Sequence, residues 1–160
     1  MRNGKEEISI IVNCNELFHS AKKHIGGAIC YETLMNSIKD GRFVRSSHAL
    51  VYGDLDDQVG FSVMLKSVGL IPFANFDVGV LDREFAKRMI DLAPEVDTLV
   101  IVTKNDAHGA IIEFLETIGC KPKIELWFFP SDLPKLLTED VDEVRIIDEN
   151  YLYKKGAKAQ

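Results

Sequence analysis

Short apolar, β-branched runs recur along the chain: ISIIV (8–12), HALVY (48–52), LIPF (70–73), TLVIV (98–102), IELWFF (124–129) and VRII (144–147). Runs of this length and composition predict strands. Between them, apolar residues fall at helical spacing: Tyr31, Leu34, Met35 and Ile38; Val59, Val63 and Met64; Leu81, Phe85, Met89 and Leu92; Ala107, Ala110, Ile111, Phe114, Leu115 and Ile118. Each set predicts a helix with one apolar stripe turned to a sheet. Gly41, Gly69, and Gly119 with Pro122 stand where three of these helices would stop. Strand and helix alternate, and the strands are apolar on both faces. The pattern predicts a single-domain, three-layer α/β/α sandwich with a mainly parallel, Rossmann-like sheet over residues 1–153, followed by a short polar tail, 154–160.

Length and composition agree with one domain: 160 residues, 46% hydrophobic and 28% charged. The formal net charge of −6 argues against a basic coat, but the excess is local. Residues 131–149 hold seven acids against two bases, and the rest of the chain is nearly balanced. Three cysteines (Cys14, Cys30, Cys120) lack CxxC spacing, and no signal-peptide pattern opens the sequence, so a cytoplasmic location is expected. No apolar run approaches the roughly 20 residues of a spanning helix, so no membrane association is expected. The sequence lacks GxxxxGK[ST] and GxGxxG, so no nucleotide cofactor is expected. His24 and His48 have no partner at metal-ligand spacing, which disfavours zinc.

In an open parallel sheet, ligands gather beyond the carboxyl ends of the strands. Four polar segments map to that edge: Asn13-Cys14-Asn15-Glu16; Gly53-Asp54-Leu55-Asp56-Asp57; Asn75 and Asp77, with Asp82 at the next helix start; and Thr103-Lys104-Asn105-Asp106. Carboxylates collected there suit Mg²⁺ or Mn²⁺, while Asp and Asn are also ordinary helix caps. Bases assigned to the same edge are Lys22, Lys23, Arg42, Arg45, Arg83, Lys87, Arg88 and Lys104. Cys14 with His19 invites a thiol-nucleophile reading, against the plainer one of a small residue filling space. His108 could cap, pack or contact phosphate, and packing is expected.

The order of these motifs resembles the NYN domains, a branch of the PIN-like ribonucleases. ISIIVNCNELFHSAKK (8–23) is similar to their opening strand, which runs into Asp-Gly-x-Asn-Leu; ALVYGDLDD (49–57) resembles the second strand with its Tyr-Gly-Asp ending. Residues 77–129 resemble the family core, and the closing stretch with Leu136, Asp142 and VRII resembles its last motif. The resemblance implies a PIN-like fold, RNA as partner and a Mg²⁺ or Mn²⁺ site. Of the family's acids, Asp82 and Asp54 are retained, while Glu16 and Asp106 are carboxylates displaced by one position. The candidate catalytic acids are therefore Asp82, Asp54, Asp106 and Glu16, the candidate substrate contacts Asn13, Asn15, Thr103, Lys104, Asn105 and Arg83, and the candidate weak metal set Asp82, Asp106, Asn13 and Asn105.

The departures point to a degenerate site. Asn13 and Asn105 stand where the family has metal-binding Asp, Cys14 where it has Gly, Glu16 where it has a polar Asn, Ala107 where it has a second Asp and His108 where it has Phe. An amide keeps an oxygen but removes the charge that holds a hard cation. The resulting expectation is an RNA-binding or regulatory domain with weak or absent metal-dependent cleavage. The alternatives are an active metal-dependent ribonuclease and a protein-interaction or homo-oligomer scaffold, using the acidic segment 132–149 or an apolar patch at Trp127, Phe128 and Phe129.

Overall fold

The computed structural model describes residues 4–24 and 26–153, so the expected polar tail lies outside the described residues. In chain order the elements are β1 (Glu7–Asn13), α1 (Cys14–His24), α2 (Tyr31–Lys39), β2 (Phe43–Tyr52), α3 (Val59–Ser67), β3 (Ile71–Phe76), α4 (Val78–Leu92), β4 (Thr98–Val102), α5 (Gly109–Thr117), β5 (Lys123–Phe128), α6 (Leu137–Asp140) and β6 (Glu143–Ile146). The strands form one six-stranded sheet in the order β3-β2-β1-β4-β5-β6. Every pairing is parallel, as the near-continuous apolar strands require.

Alternation along β1 divides the core. Ile8, Ile10 and Val12 face one layer with Leu17 of α1, Leu34 and Ile38 of α2 and Leu65 of α3. Ile11 faces the other, with Leu81, Phe85 and Met89 of α4, Ile112 and Leu115 of α5 and Leu137 of α6. The protein is therefore a single-domain, Rossmann-like α/β sandwich. Two helices stop as their glycines predict: Gly69 (φ 89°) and Gly119 (φ 77°) take the left-handed conformation. In each case the next amide returns to the helix, Leu70 N–H to the Leu65 carbonyl and Cys120 N–H to that of Leu115. No helix among the described residues is long and apolar enough to cross a membrane.

Three expectations need correcting. Of the stripe assigned to α3 only Met64 packs against the core: Val59 and Val63 are 62% and 61% exposed, and Leu65 is the buried residue. In α5 the buried face is Gly109, Ile112 and Leu115, while Phe114 and Ile118 lie in solvent. The helix begins two residues later than the stripe implied, after a short 3₁₀ turn at Asp106–His108, and of the expected set Leu115 and Ile111 pack against the core. Arg42 and Arg45 are not at the ligand edge but at the opposite, amino-terminal end of β2.

There Arg42 forms a buried tie. Its guanidinium donates to both oxygens of Glu125 at 2.9 and 3.0 Å, and the Trp127 indole donates to the same carboxylate at 2.7 Å. Burial alone would raise the Glu125 carboxyl, but the Arg42 and Trp127 hydrogen bonds outweigh it and hold it below the ordinary range. Arg42 also reaches the Ile38 carbonyl, so the α2–β2 corner is locked to β5 across the sheet.

His108 packs, as expected. It is 2% exposed and stacks on Phe85 with ring centroids 4.6 Å apart, and its Nε2 has no hydrogen-bond partner among the described residues. Burial pushes its imidazole down from 6.5 to about 4. Below pH 6.5 the unfolded chain takes up a proton that the folded chain refuses until about pH 4. Stability is therefore full above that window and falls as the pH drops through it, by about 3 kcal/mol in all. Urea unfolding of His108→Phe, compared with wild type above pH 6.5 and near pH 4, is expected to show a smaller acid loss in the variant. Equal losses would remove His108 as the cause.

Candidate functional site at the strand ends

β1 pairs with β2 on one side and β4 on the other. The chain leaves β1 into α1, in one helical layer, and leaves β4 toward α5, in the other. That divergence opens the crevice at which doubly wound sheets bind their ligands. What was expected to be a loop after β1 is already helix: Cys14 opens α1, because the Asn13 side chain accepts from the Glu16 N–H at 3.0 Å and caps it.

This turn aims Glu16 across the crevice. One carboxylate oxygen accepts from the Thr103 hydroxyl at 2.8 Å and the Lys104 N–H at 3.1 Å. Thr103 in turn accepts from the Asn105 N–H at 3.1 Å, and the Asn105 side chain accepts from the Ala107 N–H at 2.9 Å. A continuous hydrogen-bonded path thus joins Asn13 to Asn105 through Glu16. Burial raises the Glu16 carboxyl above its ordinary value; the Lys104 and Thr103 donors oppose this, and nearby Asp82 adds to it. The structure therefore brings together Asn13, Glu16, Thr103, Lys104 and Asn105, with Asp82 of α4 close enough to be felt.

Other expected residues are committed elsewhere. Asp54 accepts from the Asp56 N–H at 2.8 Å and caps the turn after β2. Asp106 does not join Glu16 and Asp82: its carboxylate accepts from the Leu136 and Leu137 N–H groups at 2.9 and 3.0 Å and anchors the start of α6. Asp77 caps α4 through the Val80 N–H at 2.8 Å. Arg83 is exposed on α4, and Asn15 is half-buried in the first turn of α1. Arg88 is held by Glu84 at 3.0 Å and lies over the Phe73 ring, so it is a packing residue. The Cys14 thiol is buried beside Tyr31 and pushed up to about 12 by desolvation, so it stays protonated and is no nucleophile.

These commitments bear on the metal set that the resemblance implies. Among the described residues, no group of three or more His, Cys, Asp or Glu side chains is placed to hold a metal ion. The Asn13 and Asn105 oxygens already accept backbone N–H groups, and Glu16 turns one oxygen to two donors. The Mg²⁺ or Mn²⁺ set implied by the resemblance does not fit this arrangement.

Sequence reasoning missed a cleft of about 490 Å³ on the other side of the first turn of α1, at the ends of β1 and β2. Its walls include Phe18 and His19 of α1, Tyr52 at the end of β2, and Phe61 of α3. One local signal existed: Phe18 lies beside the Leu17–Ala21 stripe and stays 59% exposed.

Fold and site together define a doubly wound α/β domain with a bridged switch-point crevice and an adjoining aromatic cleft. The crystal structure of a protein of unknown function from Vibrio parahaemolyticus has the same fold, with a TM-score of 0.86 and 19% identity over 96% of this chain and 99% of that one. No protein-family model matches the sequence, and a search of curated proteins finds no match.

The Glu16 bridge has a clear mutational signature. Glu16→Ala leaves the Lys104 N–H and Thr103 hydroxyl without their acceptor and should cost about 1–3 kcal/mol. Glu16→Gln keeps that acceptor and removes a charge that the folded state holds unfavourably. The raised carboxyl means that the native state is penalised as the pH rises through its folded value. In thermal melts at neutral pH, Glu16→Gln should match or exceed wild type, with its advantage shrinking as the pH falls. A Gln variant as unstable as the Ala variant would show that the bridge depends on the charge.

Proposed function

We propose that the chain is an NYN/PIN-like domain of ribonuclease ancestry that holds single-stranded RNA across the carboxyl ends of its strands, with metal-dependent cleavage absent or very slow. The observation that carries this reading is the Glu16 bridge. The crevice where the resemblance locates a catalytic metal is spanned instead by a carboxylate hydrogen-bonded to Thr103 and Lys104. Amides at Asn13 and Asn105 lower the negative charge that would repel phosphates, and Lys104 and Arg83 are exposed beside Asn105 and Asp82.

The overall acidity does not oppose this. Much of the acidic closing segment is engaged internally: Asp132 with Ser20 and His24, Asp142 with the Ile124 N–H, and Glu143 with Lys123 and Arg145. The same engagement weakens the scaffold alternative. Trp127, Phe128 and Phe129 are at most 4% exposed and offer no surface to a partner. The active-ribonuclease alternative lacks a convergent carboxylate set among the described residues.

The purified protein should bind labelled single-stranded RNA with an affinity that falls as salt rises. Lys104→Ala should weaken binding evenly across sequences and reduce the slope of log K against log salt by about 0.7. With Mn²⁺ added, the RNA should stay intact, as it should with Asp82→Ala. Cleavage by wild type that Asp82→Ala abolishes would overturn the reading.

A further inference from the structure

The cleft beside the crevice differs from the hydrogen-bonded edge in chemistry. At its mouth stand two large exposed rings, Phe18 at 59% and Tyr52 at 53%. Its floor is closed by Tyr31, which packs edge-on to Phe61 with centroids 5.8 Å apart. Among the described residues, no Asp, Glu, Lys or Arg side chain lines it. That lining suits an uncharged, largely apolar group. Its polar groups are the amides of Asn15 and Gln58, the His19 imidazole and tyrosine hydroxyls, a mixture of donors and acceptors suited to the edge of a heteroaromatic ring. Gln58 is already oriented: its amide nitrogen donates to the Tyr52 and Asp54 carbonyls, both at 3.1 Å, which leaves its oxygen as a fixed acceptor.

Charge around the rim is one-sided. Lys22 lies over the Phe18 ring, its ammonium 5.9 Å from the centroid, on the α1 lip. The acids Asp54, Asp56 and Asp57 flank Gln58 on the other. A ligand with a neutral ring and an anionic tail would seat the ring between Phe18 and Tyr52 and lead the tail out over α1. Asn15 and Glu16 are neighbours on the first turn of α1, so the Asn15 end of the cleft adjoins the crevice that Glu16 spans.

We propose that this cleft is a nucleobase pocket that takes one unpaired base, stacked against Phe18 and Tyr52 with its edge toward Gln58 and Asn15, while the attached phosphates pass over Lys22. As a subsite for RNA it rests on the function proposed above; as a site for a free nucleotide it does not. Adenine suits the fixed Gln58 acceptor because its exocyclic amine donates.

The test uses two probes on the full chain. Fluorescence anisotropy follows labelled single-stranded oligoadenylate, and the Met64 methyl resonance, inside the cleft, follows adenosine monophosphate. Phe18 and Tyr52 are exposed, so Phe18→Ala and Tyr52→Ala should fold, which circular dichroism checks. Each should weaken oligoadenylate binding about tenfold, and Phe18→Tyr, which keeps the ring, should restore it. The monophosphate should move the Met64 methyl in wild type and not in Phe18→Ala. RNA that binds wild type and both alanine variants equally overturns the pocket and leaves the RNA reading standing. A Met64 response to the monophosphate without any RNA binding supports the pocket and overturns the RNA reading. No response to either probe overturns both.

Discussion

A parallel sheet that sends its chain to opposite faces on either side of one strand leaves a gap at that strand's carboxyl end, and the rest of this site depends on how the gap is filled. Here a half-buried carboxylate fills it. Glu16 spans from α1, in one helical layer, to Thr103 and Lys104, which follow β4 and lead to the other. The bridge fixes the first turn of α1 through Asn13 and the turn after β4 through Asn105. A side chain turned to two donors is poorly placed to help hold a hard cation. The contact that stabilises the crevice therefore commits one oxygen of its central carboxylate to protein donors.

The two ends of the sheet divide the work. At the amino-terminal end, Arg42, Glu125 and Trp127 form a paired network with Glu125 nearly sealed from water. Such a network holds the corner of the fold rigid and has no capacity left for a ligand. At the carboxyl-terminal end, helix caps use only part of each side chain, while exposed Lys104, Phe18 and Tyr52 remain available. A net charge of −6 hides this division, because several of the acids responsible are engaged in contacts of the closing segment.

How much of this was legible varied with the range of the interaction. β4 has the bounds that TLVIV marks, β5 and β6 are displaced by one residue from their runs, and β1, β2 and β3 are longer than theirs, because strand identity is a local property of consecutive residues. The helix stripes held only in part in α3 and α5, where a short 3₁₀ turn precedes the helix and shifts the phase that fixed spacing assumes. Caps at Asn13, Asp54, Asp77 and Asn105 were readable as one of two roles, since each acts within three residues. The Glu16 bridge was not, because its partner lies 87 positions away. Nor was the cleft, which is assembled from segments between Cys14 and Tyr153.

We propose that RNA is held at the carboxyl ends of the strands without a metal. The most direct measurement is a map of backbone amide chemical shifts in isotopically labelled protein during titration with single-stranded RNA in the presence of a chelator. The account predicts shifts concentrated at Asn15–Phe18 and Thr103–Asn105, with residues around Arg42 and Glu125 unmoved. Shifts centred on the Arg42 end of the sheet, or binding that appears only when the chelator is replaced by Mn²⁺, would contradict it.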